Sequence, residues 1–175
     1  KEKNKKNNTN TKVLSMTKYD GFVESLTYFK KQIFSKNLSN YKIVKNGQFA
    51  YATIHLDEGS IDYLKNFKDG LISPMYTIFE IDNNIINHEF LLYHLKSDIF
   101  LKKYRLIGKG SIDRRKSIKF NDLSKLEIVL PPIKEQEKIV KKLYEISLLI
   151  KKFETKLHKY KILKKSFVEN VLINN

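Results

Sequence analysis

The chain has 175 residues, with 34 Lys and Arg against 19 Asp and Glu, giving a formal charge of +15 and a pI near 9.7. That balance favours a polyanionic partner, nucleic acid before an acidic membrane surface. The absence of cysteine excludes a disulfide framework, a thiol nucleophile and thiolate zinc sites; without an apolar run of about 18 residues or a signal-like apolar start, a cytoplasmic setting is expected.

Residues 1–11 are almost wholly polar and are expected to be a solvated arm or the ragged end of a truncation. A first strand is read over 13–16, followed by a turn at Asp20-Gly21. The next strand covers 41–44; Asn46-Gly47 is a strong hairpin turn, and 48–54 reads as its second strand. Asp69-Gly70 leads into Leu71-Ile72, Ser73-Pro74 is a break, and 76–81 reads as a strand. Asn87 can cap a helix over 88–96 that extends towards Tyr104. Gly108-Lys-Gly-Ser is a loop, 117–120 a short strand or extended run, Asn121-Asp-Leu a turn, and 125–130 the last strand. No internal repeat is visible, and the apolar content suffices for one core in an α+β domain.

Pro131 and Pro132 then mark a change of architecture. Proline suits the approach to a helix and its first turn, but not its interior. Glu135 and Glu137 follow where the helix dipole favours carboxylates, and neither Pro nor Gly appears again before Ile173. Ile133, Ile139, Val140, Leu143, Ile146, Leu149, Ile150, Phe153, Leu157, Tyr160, Leu163, Phe167 and Val171 recur mostly at steps of three and four. This is one amphipathic helix of about 60 Å with a narrow apolar seam, longer than the preceding domain could cover. The expected organisation is a globular domain over 1–130 and a coiled-coil-forming helix over 131–175. Both parts are basic, with 23 Lys and Arg against 14 Asp and Glu before Pro131 and 11 against 5 from there on.

Catalytic and metal-binding patterns are weak. His55-Leu-Asp57-Glu58 places a histidine near two carboxylates, and a metal would need a third ligand from elsewhere. His88-Glu89 with His94 misses the helical His-Glu-x-x-His spacing, so these side chains read as helix surface or packing. Gly108-Lys-Gly-Ser lacks the spacing of a phosphate-binding loop, and no Asn-Pro-Pro-Tyr-like tetrapeptide of an amino-methyltransferase occurs.

The run Leu130-Pro-Pro-Ile-Lys-Glu-Gln-Glu-Lys-Ile-Val140 resembles the segment that opens the long helix in DNA-specificity subunits of type I restriction-modification systems. The resemblance continues upstream in order, through Val13-Leu-Ser-Met-Thr17 with Gly21-Phe-Val23, Tyr41-Lys-Ile-Val-Lys-Asn-Gly47 with Gln48-Phe-Ala-Tyr51, Gly70-Leu-Ile-Ser-Pro74-Met-Tyr76, and Gly108-Lys-Gly-Ser-Ile-Asp-Arg114-Arg115. It covers nearly the whole chain. Family members usually carry two recognition domains and two long helices, whereas one of each is found here, so the sequence corresponds to a half-length form or to a fragment of a longer subunit. The resemblance implies a non-catalytic subunit that reads a half-site on double-stranded DNA. It also implies methyltransferase subunits using S-adenosylmethionine and a restriction subunit using ATP and Mg as partners. This chain itself would hold no cofactor or metal.

Within that reading, basic and polar residues on turns are the candidates for DNA contact. Lys109, Ser111, Arg114, Arg115 and Lys116 form the densest basic loop, and arginine suits both guanine edges and phosphates. Lys12, Thr17, Lys18 and Tyr19 around the first strand, and Tyr51, Thr53 and His55 after the second hairpin strand, complete the set. Tyr51 and Tyr76 can equally be core residues, and Tyr76 beside Pro74 is better read so. The seam residues Ile139, Val140, Leu143, Ile146, Ile150, Phe153, Leu157, Tyr160 and Phe167 are the expected partner surface, with a homodimer through the helix as its simplest use. Two rival readings are a coiled-coil interaction protein whose basic surface binds nucleic acid or anionic membrane, and a metal-dependent nuclease built on His55 and Asp57.

Overall fold

A computed structural model of the chain describes residues 11–108 and 117–173. They divide into two compact units with the boundary between Ile133 and Lys134. The fold is α+β: short antiparallel strands and helices, then a long C-terminal helix.

The first unit begins with the hairpin β1 (Leu14–Thr17) and β2 (Gly21–Glu24), followed by a short helix α1 (Ser25–Phe29). Strand β3 (Lys42–Lys45) pairs with β6 (Asp69–Ile72), while β4 (Phe49–Ala52) runs between β5 (Ile61–Tyr63) and β7 (Tyr76–Phe79). Every strand pair is antiparallel. An isolated parallel bridge, Val13 to Leu71, links the start of the first hairpin to β6. Helices α2 (His88–Leu95), α3 (Asp98–Ile107) and α4 (Phe120–Leu123) complete the unit. Phe49, Ala50 and Tyr51 of central β4 are all fully buried, the pattern of a strand covered on both faces. The core gathers Leu14, Met16, Phe22, Val44, Ala50, Leu64, Ile72 and Ile78, with Phe67 and Tyr76 packed against it. A second, aromatic layer stacks Phe49 between Phe79 and His88, and His88 Nε2 lies 2.8 Å from the Gly47 carbonyl oxygen. His88 is thus a packing residue, as is His94 beside Phe90.

Several expected elements fold otherwise, each for a local reason. Asn46-Gly47 makes a turn with φ +79° at the glycine, but β3 and β4 do not pair. The Asn46 amide donates instead to the Lys65 and Phe67 carbonyls, and Gly47 N–H to the Leu64 carbonyl, so the turn steers the chain from one sheet into another. Asp69-Gly70 opens strand β6, and residue 70 is glycine because it lies under the Leu14 side chain, where a Cβ would collide with it. The helix after Asn87 is two helices. Asn87 Oδ1 accepts from Phe90 N, and Ser97 Oγ then caps α3 by accepting from Phe100 N. A helical turn, α4, replaces the turn at 121–123. Residues 125–130 form no strand, although their alternation is real: half-buried Leu126 and Ile128 line an apolar hollow with Phe79, Leu91, Leu95, Phe100 and Phe120. Helix α1, β5 and a 3-10 turn at Leu56–Glu58 lacked a sequence signal strong enough to read.

The second unit is α5, Ile133–Ile173, 41 residues in one run. Pro131 and Pro132 stand just before its first turn rather than inside it. Ile139, Val140 and Leu143 are half-buried. From Ile146 on, the seam residues Ile150, Phe153, Leu157, Tyr160 and Phe167 are each more than half exposed.

Candidate nucleic-acid interface

The β1–β2 hairpin presents the best-defined polar and aromatic surface among the proposed contact residues. Its register pairs Leu14 with Glu24 at the open end and Thr17 with Gly21 at the tip. Gly21 needs φ +62°, and a Cβ there would run into the buried Asp62 carboxylate, so only glycine fits. Thr17 Oγ1 accepts from Asp20 N at 2.9 Å and donates to the Gly21 carbonyl at 3.4 Å, closing the turn from inside. Lys18 and Tyr19 project from it. The Lys18 ammonium lies 5.4 Å from the centre of the Tyr19 ring, and Tyr19 is 85% exposed. Lys12 sits at the other end of the hairpin, where its ammonium pairs with Glu24 at 2.9 Å and keeps that carboxyl below the ordinary range.

The residues after β4 form a separate place. Thr53 is half-buried, its hydroxyl donating to the Met75 carbonyl and its own carbonyl accepting from Ile118 N. His55 is exposed, with Nδ1 3.1 Å from Glu58 Oε1, so the carboxylate it meets is Glu58 rather than Asp57. Among the described residues no group of three His, Cys, Asp or Glu side chains is arranged to hold a metal ion.

Tyr51 corrects the sequence reading. It is fully buried, and its hydroxyl donates to the Ile118 carbonyl at 3.0 Å, so it cannot face DNA; it anchors the chain just after the basic loop. The loop itself, with Lys109, Ser111, Arg114, Arg115 and Lys116, lies outside the described residues. Its flanks are held: Gly108 N–H closes α3 on the Tyr104 carbonyl, and Ile118 is bound to Thr53 and Tyr51.

Residues that carried no sequence signal support the hairpin tip. The Tyr28 hydroxyl donates to Asp20 Oδ2 at 2.7 Å, and the half-buried Lys96 ammonium reaches the Lys18 carbonyl at 3.3 Å. Asp62, buried beneath Gly21, accepts the Tyr63 N–H; burial pushes its carboxyl up, against the pull of Lys65 and then Lys96. An acidic residue inside the apolar run Ile61-Asp-Tyr was the one available clue, and it did not reveal its partners.

The fold is shared with two solved structures. The crystal structure of the HsdS subunit from Thermoanaerobacter tengcongensis superposes with a TM-score of 0.55 at 23% identity, over 65% of this chain and 29% of that one. A chain from a structural study of complex assembly and conformational transition in the type I R-M system gives a TM-score of 0.55 at 21% identity, again over 65% and 29%. The matched part therefore spans less than a third of either of those chains. No protein-family model and no curated protein matches.

Proposed function

We propose that the chain is a sequence-specific, non-catalytic DNA-recognition subunit of a type I restriction-modification system. The observation that carries this reading is the agreement of two signs: the run from Leu130 to Val140 with its upstream segments resembles such subunits, and the fold superposes on an HsdS subunit. The net charge of +15 adds the electrostatic attraction that duplex binding needs. In this reading residues 1–130 are the target-recognition domain, and Lys12, Thr17, Lys18, Tyr19, Thr53 and His55 with the 109–116 loop contribute its DNA surface. Most of these contacts serve phosphates; sequence is read by a few.

Residues 131–175 are the spacer and assembly surface. The family's two long helices run antiparallel within one chain; here the partner of the exposed seam is a second copy of α5, giving a homodimer that docks methyltransferase subunits. S-adenosylmethionine, ATP and Mg belong to those partners and to the restriction subunit. The test is binding of the full chain to labelled duplex and to acidic liposomes at matched salt. Salt-sensitive retention of duplex at micromolar protein is expected, and binding to liposomes without binding to DNA would overturn the reading.

A further inference from the structure

The β1–β2 tip is fastened on several sides yet turns an aromatic ring away from the protein. Inside the turn the Thr17 hydroxyl bonds Asp20 and Gly21; Tyr28 holds the Asp20 carboxylate; and Lys96, at the end of α2, holds the Lys18 carbonyl. Gly21 is seated on Asp62 without room for a side chain. Tyr19 is nevertheless the most exposed aromatic residue among those described, and Lys18 stands beside it. The Asp20 carboxylate beside them is also exposed and accepts from the Tyr28 hydroxyl, so the tip shows outward a cation, a ring and one hydrogen-bonded carboxylate.

A large ring on a backbone already fixed loses little freedom when it is covered, which favours a contact role. The pairing of a π face with an adjacent cation suits bases or sugars flanked by phosphates. Resting on the reading of the chain as a DNA-recognition subunit, we propose that the β1–β2 tip is a preformed DNA-contacting element in which Tyr19 packs its ring on the duplex, Lys18 grips a phosphate, and Lys96 and Tyr28 are positioning residues. Lys96 acts through the Lys18 backbone and Tyr28 through Asp20; neither touches DNA.

The chain has no tryptophan, so Tyr19→Trp in the full chain installs a single indole at the tip. Adding a duplex that carries its own label should quench the indole fluorescence and shield it from acrylamide, in step with binding read from the DNA label. Tyr19→Ala should weaken binding about tenfold, and Lys18→Ala should flatten the slope of log K against log salt by about 0.9. In the Tyr19→Trp background, Lys96→Met should loosen the indole in the free protein, read by anisotropy decay, and weaken binding; Lys96→Arg should restore both. Duplex binding with an unaltered indole and undiminished affinity in Tyr19→Ala would overturn the assignment while leaving DNA recognition standing. Absence of any duplex binding by the unsubstituted chain would overturn the recognition reading itself, and the tip's role with it.

Discussion

Asp62 shows how one buried side chain couples stability to pH. The residue is 5% exposed, and desolvation raises its pKa above the ordinary 3.8, with Lys65 and Lys96 opposing and Glu89 reinforcing the shift. A folded-state pKa above the unfolded one means the native chain holds this proton more tightly. The associated stability is fully present below the ordinary value and is lost as pH rises through the raised one. Asp62→Asn keeps an oxygen for the Tyr63 N–H but cannot ionise. Urea unfolding from pH 7 down to 4 should therefore show the wild type gaining on the variant as pH falls, and parallel curves would contradict the shift. The same scale explains what could be read of the site. Tyr19 and Lys18 stand out in sequence because a turn must expose them. Tyr51 was ambiguous because an aromatic in a strand has the same pattern whether it lines the core or faces out, and only its bond to Ile118 decides the matter.

At the scale of elements, signals from local chemistry were legible and those from pairing were not. Asn87 as a cap, Asp20-Gly21 as a turn and the proline pair before α5 each act within a few residues, and each is found in the fold. Asn46-Gly47 turns as expected, yet its strands part because acceptors at Leu64, Lys65 and Phe67 arrive from far along the chain. The break between α2 and α3 also hangs on one side chain. Ser97 is a passable interior residue in a longer helix, but its hydroxyl oxygen accepts from Phe100 N and so starts a new one. Ser97→Ala removes that cap and should cost about 1 kcal/mol, measured by chemical denaturation. A loss within error would mean the break is set by packing alone.

Across the whole molecule, the long helix carries an apolar stripe that its own unit leaves in solvent. An isolated helix gains most of its stability from packing of such a face, so the proposed second copy supplies what the sequence pattern requires. Ile150→Lys with Phe153→Lys places two ammonium groups on that stripe and should convert a dimer into monomers in light scattering at micromolar concentration. A wild-type chain that is already monomeric would remove the homodimer while leaving recognition by a single domain in place.

In the proposed homodimer two identical recognition domains about a twofold axis would present the same surface twice, so it should prefer inverted copies of one short motif. A stiff helix pair in that dimer would fix the unread spacer, since each added base pair both lengthens and rotates the second half-site. Selection of bound sequences from a random duplex pool tests recognition most directly. Enrichment of a short motif is expected, as an inverted pair at nearly one spacing. A retained pool that stays random in sequence while still binding in a salt-dependent manner would contradict it, leaving a basic protein that holds DNA without reading it.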